Sequence, residues 1–166
     1  MKILSADLGG TNSRFALFSD TSGMLRRSAQ LTLSSDAQSF GDLLQNMRRT
    51  WPEGAQCLYD VDAFAIAAAG AVSDGKIPMT NAQYVVDAAQ ASASFPSARV
   101  MLMNDFEAQA WGCLLSEDRF WDPVRGNACS IAAACCHGKD PCSLAVLGAG
   151  TGLGAAWIVR GNHADV

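Results

Sequence analysis

Two glycine–threonine turns, each set between apolar strand-like runs, constrain this 166-residue chain more than any other feature. The first joins Ile3 to Leu8 with Arg14 to Phe18 through Gly9-Gly10-Thr11-Asn12. The second lies in Leu144 to Val159, LAVLGAGTGLGAAWIV, and placing Gly10-Thr11 on Gly150-Thr151 brings strand onto strand on both sides. Glycine carries no Cβ and reaches positive φ, so backbone N–H groups in such a turn can approach an anion closely. Each run is therefore either an ordinary β-hairpin bent by its glycines or a cradle for phosphate. The same pattern at two distant places points to a duplicated fold whose halves face each other across a nucleotide. Asp7, ending the first strand, offers a carboxylate to Mg²⁺ through water, since hard cations prefer oxygen ligands.

A rival reading of the second run fails on its context. Gly150-x-Gly152-x-x-Ala155 matches the dinucleotide fingerprint, but that motif needs a helix directly after the glycines. Ala155 to Val159 instead stays apolar and β-prone up to Gly161-Asn162, a turn signal. A Walker A ending is absent, and a hairpin fits better.

Hydrophobic residues at 49% and charged residues at 17% describe a folded globular chain. The formal net charge of -4 argues against nucleic acid as a partner, which favours a basic face. No apolar run reaches the roughly 18 residues of a membrane span. The sequence opens directly on a strand, without the basic and apolar segments of a signal peptide, so no membrane partner and a cytoplasmic location are expected. Cys129, Cys135, Cys136, His137 and Cys142 cluster in sequence. Their spacing lacks the paired C-x-x-C knuckles of common zinc sites, and reduced thiols are the expectation.

Along the chain, Leu25 to Leu33 reads as a third strand. Ser35 or Asp36 is placed to cap a helix running to about Arg49, with Phe40, Leu43, Leu44 and Met47 at helical spacing. Arg48 and Arg49 read as a solvated helix end rather than a phosphate site. Ala63 to Ala69 is a strand buried on both faces, Ser73-Asp74-Gly75-Lys76 a turn, and Tyr84 to Val86 a short strand. Asp87 caps a helix ending near Phe95-Pro96, and Arg99 to Met103 is a strand. Asn104-Asp105 then opens the helix Phe106 to Leu115. These two residues are either an N-cap and a first-turn acid or the polar groups of a site, because ligands of α/β proteins bind at the carboxyl ends of strands. Thr80 and Asn81 are turn formers on composition alone.

The motifs Asp7-Leu8-Gly9-Gly10-Thr11-Asn12, Met79-Thr80-Asn81, Asn104-Asp105-Phe106 and Gly148-Ala149-Gly150-Thr151-Gly152-Leu153-Gly154 together resemble those of bacterial glucokinases, in the same order. The resemblance implies the α/β, ribonuclease H-like fold of the actin and hexokinase type, with a mixed sheet. It implies an N-terminal domain over 1–111 and the opening of a second similar domain over 112–166. It implies ATP and Mg²⁺, with glucose converted to glucose 6-phosphate. Asp105 would be the catalytic base, and Asn104, Thr80 and Asn81 would hold the sugar. Gly9, Gly10, Thr11 and Asn12 would cradle phosphates from one side, Gly150, Thr151 and Gly152 from the other, and Asp7 would place Mg²⁺. Gly70-Ala71 stands where such enzymes usually carry Gly-Pro, and Tyr84 where a Trp is common.

The Glu-x-Gly-His segment that follows the second hairpin in those enzymes has no match in Asn162 to Val166. The expectation is accordingly a shortened, inactive chain whose exposed strand edges around Ser143 to Val159 drive homo-oligomer formation. The alternative is a non-catalytic sugar-binding or regulatory module of the same superfamily. Its repressors, however, place a DNA-binding helix pair before the first hairpin, where Lys2 here already opens the strand.

Overall fold

The computed structural model describes residues 1–21, 24–79, 81–115, 142–149 and 153–160. The chain divides into two compact units, Met1–Asp105 and Phe106–Val166.

The first unit is built on a five-stranded sheet. Strands β1 (Lys2–Leu8), β2 (Asn12–Thr21), β3 (Met24–Ser34), β4 (Ala63–Ala68) and β7 (Arg99–Asn104) lie in the order β3-β2-β1-β4-β7. The first three form an antiparallel meander, and β1, β4 and β7 run parallel, so the sheet is mixed as expected. Alternate residues of the strands face the core: Leu4, Ala6 and Leu8 on β1, Phe15 and Leu17 on β2, and Phe64, Ile66 and Ala68 on β4, all buried. Ala63, Ala65 and Ala67 on the other face of β4 are only partly buried, so that strand is not buried on both faces as expected. The matching apolar surface comes from helix α1 (Phe40–Thr50), whose Phe40, Leu43, Leu44 and Met47 are buried at helical spacing. Helix α2 (Ala88–Ser94) adds Ala91, and Phe95 just beyond it meets the Phe64 ring edge-on at 4.9 Å.

Several boundaries differ from the sequence expectation, each for a local reason. Helix α1 starts at Phe40, and its N-cap is Ser39, whose hydroxyl accepts from the Asp42 amide at 3.1 Å. Ser35 does not cap it: its amide donates to the Thr11 carbonyl and its hydroxyl to that of Gly9. Arg48 is not a solvated helix end. Its guanidinium lies 4.4 Å from the centre of the Phe95 ring and donates to the Ser94 carbonyl, which ties α1 to the end of α2. Arg49 is exposed, as read. A short 3-10 turn at Ala55–Leu58 and strand β5 (Lys76–Pro78) were not anticipated. The latter pairs with β6 (Val85–Asp87) behind the Asp74-Gly75 turn, where φ is 51° and 70°. Two successive positive φ values are what a two-residue turn of the primed type requires, and Asp-Gly supplies them. Asp87 does cap α2, accepting from the Ala89 amide at 2.8 Å.

The second unit contains helix α3 (Asp105–Leu115) from Phe106 onward, and a hairpin of β8 (Cys142–Ala149) and β9 (Leu153–Arg160). Gly148 and Gly154 pair across that hairpin, and the Phe106 ring lies against both. A Cβ on Gly148 would sit 2.5 Å from the ring, and one on Gly154 would overlap it. On its other face the hairpin leaves Leu147, Trp157 and Val159 about two-thirds or more exposed.

Candidate functional site

The parallel strands bring the site residues of the first unit to one edge. In register, Leu8 lies opposite Ala68 and Ala68 opposite Asn104, so β1, β4 and β7 end side by side at their carboxyl termini. From that edge emerge the turn after β1, the 69–70 segment after β4, and Asn104-Asp105. This is where ligands of parallel α/β sheets bind.

The turn after β1 is held by its carbonyls. The Gly9 amide donates to the Asn12 carbonyl at 3.0 Å, closing the hairpin. The Thr11 carbonyl accepts from the Ser35 amide at 3.0 Å, and the Gly9 carbonyl from the Ser35 hydroxyl at 2.7 Å. Among the described residues, the amides of Gly10 and Thr11 donate to nothing, while Thr11 and Asn12 are exposed. An anion could therefore take those amides without breaking a bond. Gly10 has a second duty, because a Cβ there would collide with the Cβ of Asn81. The structure thus brings Asn81 against the candidate phosphate turn.

Asn104 ends β7 and donates from Nδ2 to the Gly70 carbonyl at 2.9 Å, which fixes its amide beside the end of β4. Gly70 must be glycine for packing, since a Cβ would fall 2.8 Å from the Pro78 carbonyl oxygen. Asp105 is half-buried and is the first residue of α3, where a carboxylate complements the helix dipole.

Asp7 points away from the core and bonds to Arg14, its cross-strand partner, at 3.2 Å. Both are exposed and line an open hollow of about 520 Å³ with Arg27, Gln30 and Thr32. Among the described residues no cluster of three metal-ligating side chains occurs. Mg²⁺ held mainly by nucleotide phosphates and water needs only one or two carboxylates, and Asp7 meets that demand once it shares or leaves Arg14. Elsewhere on the unit, Asp87 lies below its ordinary carboxylate range because the Ala89 amide, and then Lys76, bond to its charged form. Asp60 is lowered and Lys2 raised by their mutual hydrogen bond at 2.7 Å.

Thr80, Gly150, Thr151 and Gly152 lie outside the described residues, as do Cys129, Cys135, Cys136, His137 and His163. Sequence reasoning missed Ser13 and Ser35, which stand directly beneath the first turn. The signal was available for Ser13, which shares the period-two buried face of Phe15 and Leu17 and so had to find a buried partner.

Known proteins match this chain over nearly its whole length. The glucokinase family model matches residues 4–166. Glucokinase of Sinorhizobium medicae is 31% identical over 163 residues, which span 97% of this chain and 43% of that enzyme. The crystal structure of a glucokinase from an Antarctic psychrotroph superposes with a TM-score of 0.63 at 24% identity, covering 96% of this chain and 46% of the other. That of Balamuthia mandrillaris glucokinase, solved in complex with glucose, gives 0.65 at 22% identity over 94% and 44%. The chain spans less than half the length of these relatives, and its fold is that of the actin-like sugar kinases. By its matched residues, the chain belongs to the glucokinase family.

Proposed function

We propose that these residues form the N-terminal part of an enzyme that transfers the γ-phosphoryl group of ATP to the 6-hydroxyl of glucose. The observation that supports this reading is the shared carboxyl edge of β1, β4 and β7, from which the Gly9–Asn12 turn and Asn104-Asp105 both emerge, with the end of β4 between them. Asp105 accepts the proton of the attacking hydroxyl as its oxygen bonds to phosphorus and ADP leaves. Asn104, Thr80 and Asn81 hold the sugar. The amides of Gly10 and Thr11, with Gly9 and Asn12, bind phosphate oxygens, and Gly150, Thr151 and Gly152 do so from the second hairpin. Asp7 holds Mg²⁺, which neutralises phosphate charge when bound. The work of the protein is chiefly positioning and exclusion of water, which competes with the sugar as nucleophile.

In this reading 1–111 forms the first domain and 112–166 opens the second, in a cytoplasmic enzyme. The isolated 166-residue chain spans 43% of its relatives and contributes only part of the site walls, so it is expected to be inactive and homo-oligomeric. Correct orientation is worth about 7–11 kcal/mol of a barrier, and losing part of the walls forfeits most of it. A coupled ATP and glucose assay on the longest reading frame containing these residues is the test. Turnover is expected there, with Asp105→Asn reducing it at least about a hundredfold while the KM for glucose changes little. Near wild-type turnover in that variant would leave Asp105 as a helix-start residue and nothing more. A monodisperse 166-residue monomer that phosphorylates glucose would overturn the expectation for the isolated chain.

A further inference from the structure

We propose that Ser35, backed by Ser13, is the positioning residue that aims the Gly10 amide of the first glycine turn outward. Among the described residues these two serines are the buried polar side chains, at 2% and 0% exposure. Each hydroxyl has one hydrogen. Ser35 Oγ lies 2.7 Å from the Gly9 carbonyl oxygen and 2.8 Å from Ser13 Oγ. A carbonyl can only accept, so the Ser35 hydrogen goes to Gly9, and Ser13 must then donate to Ser35. The direction of the whole relay is fixed: Ser13 to Ser35 to the Gly9 carbonyl.

That direction decides which face the turn presents. The Gly9 carbonyl and the Gly10 amide belong to one planar peptide unit, and no described peptide bond is cis. In a trans unit the two groups point oppositely. Holding the Gly9 oxygen inward therefore turns the Gly10 N–H outward. Glycine on both sides of that unit removes most of the steric resistance to a flip, and a flipped unit would present an oxygen where an anion needs a donor. Backbone sterics alone do not settle the choice; Ser35 does. It holds the turn at a second point as well, through its own amide to the Thr11 carbonyl at 3.0 Å. Ser13 contributes by orienting the Ser35 hydroxyl and by filling its acceptor side.

The inference deepens the reading of Gly9–Asn12 as a phosphate turn, and its test separates the two. In nucleotide-free protein, Ser35→Ala should speed hydrogen exchange at the Gly9 amide about tenfold and shift the Gly10 and Thr11 amide resonances. Exchange at Leu43 and Met47 in α1 should hold. Ser35→Thr keeps the hydroxyl and should restore the wild-type turn, while Ser13→Ala should give a smaller change of the same sign. Wild-type resonances and exchange in Ser35→Ala would overturn the proposal. If that variant fails to fold, Ser35→Cys, a weak donor of similar shape, carries the same expectation and the same refutation. Titration with ATP and Mg²⁺ then gives the second readout, an affinity about tenfold weaker in Ser35→Ala than in wild type. A wild-type turn that ignores ATP, while Ser35→Ala disorders it as expected, would sink the phosphate reading and leave the positioning role of Ser35 standing.

Discussion

The two glycine hairpins look alike in sequence and differ in what they are built into. β1–β2 is flanked by β3 on one side and β4 on the other, and its alternating residues are buried against α1. β8–β9 forms a two-stranded sheet, with Leu147, Trp157 and Val159 exposed on one face and the Phe106 ring against glycines on the other. The glycines accordingly serve different ends. In the first hairpin they bend the chain and let Asn81 approach; at Gly148 and Gly154 of the second they seat an aromatic ring. Both motifs therefore sit between paired antiparallel strands, while the duty of each described glycine depends on its neighbours.

The sharpest way to break this comparison is to remove the core of one unit. Phe64→Ala deletes a fully buried ring and should destabilise the first unit by about 3–5 kcal/mol in urea denaturation. Trp157→Ala, 70% exposed, should change stability by less than about 0.5 kcal/mol. Comparable losses from both would show that the second hairpin is as well integrated as the first.

Next in size is Gly154→Ala, whose added methyl meets the Phe106 ring. It should cost about 1–3 kcal/mol as an overpacking change, read from exchange protection of the β8–β9 amides. Combined with Phe106→Leu the cost should shrink, a coupling measured by the double-mutant cycle. Additive costs would mean that the ring is not what keeps position 154 a glycine.

Smaller effects sharpen the first unit alone. Ser39→Ala removes the cap of α1 and should lower stability by about 1 kcal/mol, with Ser39→Asp close to wild type. The smallest concerns acid. The Asp87 carboxylate is depressed in the folded chain, chiefly by the Ala89 amide, so between its folded and unfolded values the unfolded chain binds more protons. Its contribution is complete above about pH 4 and is lost as pH falls through the depressed value. Asp87→Asn should flatten the stability profile in that window, and an unchanged slope there would refute the assignment.

Much of the fold was legible because its signals are periodic. Leu4, Leu8, Phe15 and Leu17 declare strands, and Phe40 to Met47 declare a helix, whatever surrounds them. The mixed sheet was legible only through the family resemblance, since periodicity carries no strand order. The start of α1 was missed because Ser35, Asp36 and Ser39 are all chemically able to cap a helix. Which one does so depends on the turn at Gly9, about thirty residues away. Arg48 was misread for the same reason: its partner, Phe95, belongs to another element. At the site, Asn104 and Asp105 stood at a strand-to-helix junction visible in sequence, but the Asn104 bond to Gly70 and the meeting of Gly10 with Asn81 are long-range and were not.

The register of β1 also bears on how the chain is made. Its antiparallel partner is the next strand, whereas its parallel partner begins 60 residues on, with Ile3 opposite Ala63. Synthesis at about 5–20 residues per second leaves roughly 3–12 s between the two. During that interval β1 to β3 can form a meander, but one side of β1 has no strand to pair with. Such an open edge invites the wrong neighbour. The sheet that later carries the candidate site thus passes through a vulnerable stage on the ribosome, and slower translation between the codons of Thr21 and Ala63 would lengthen it.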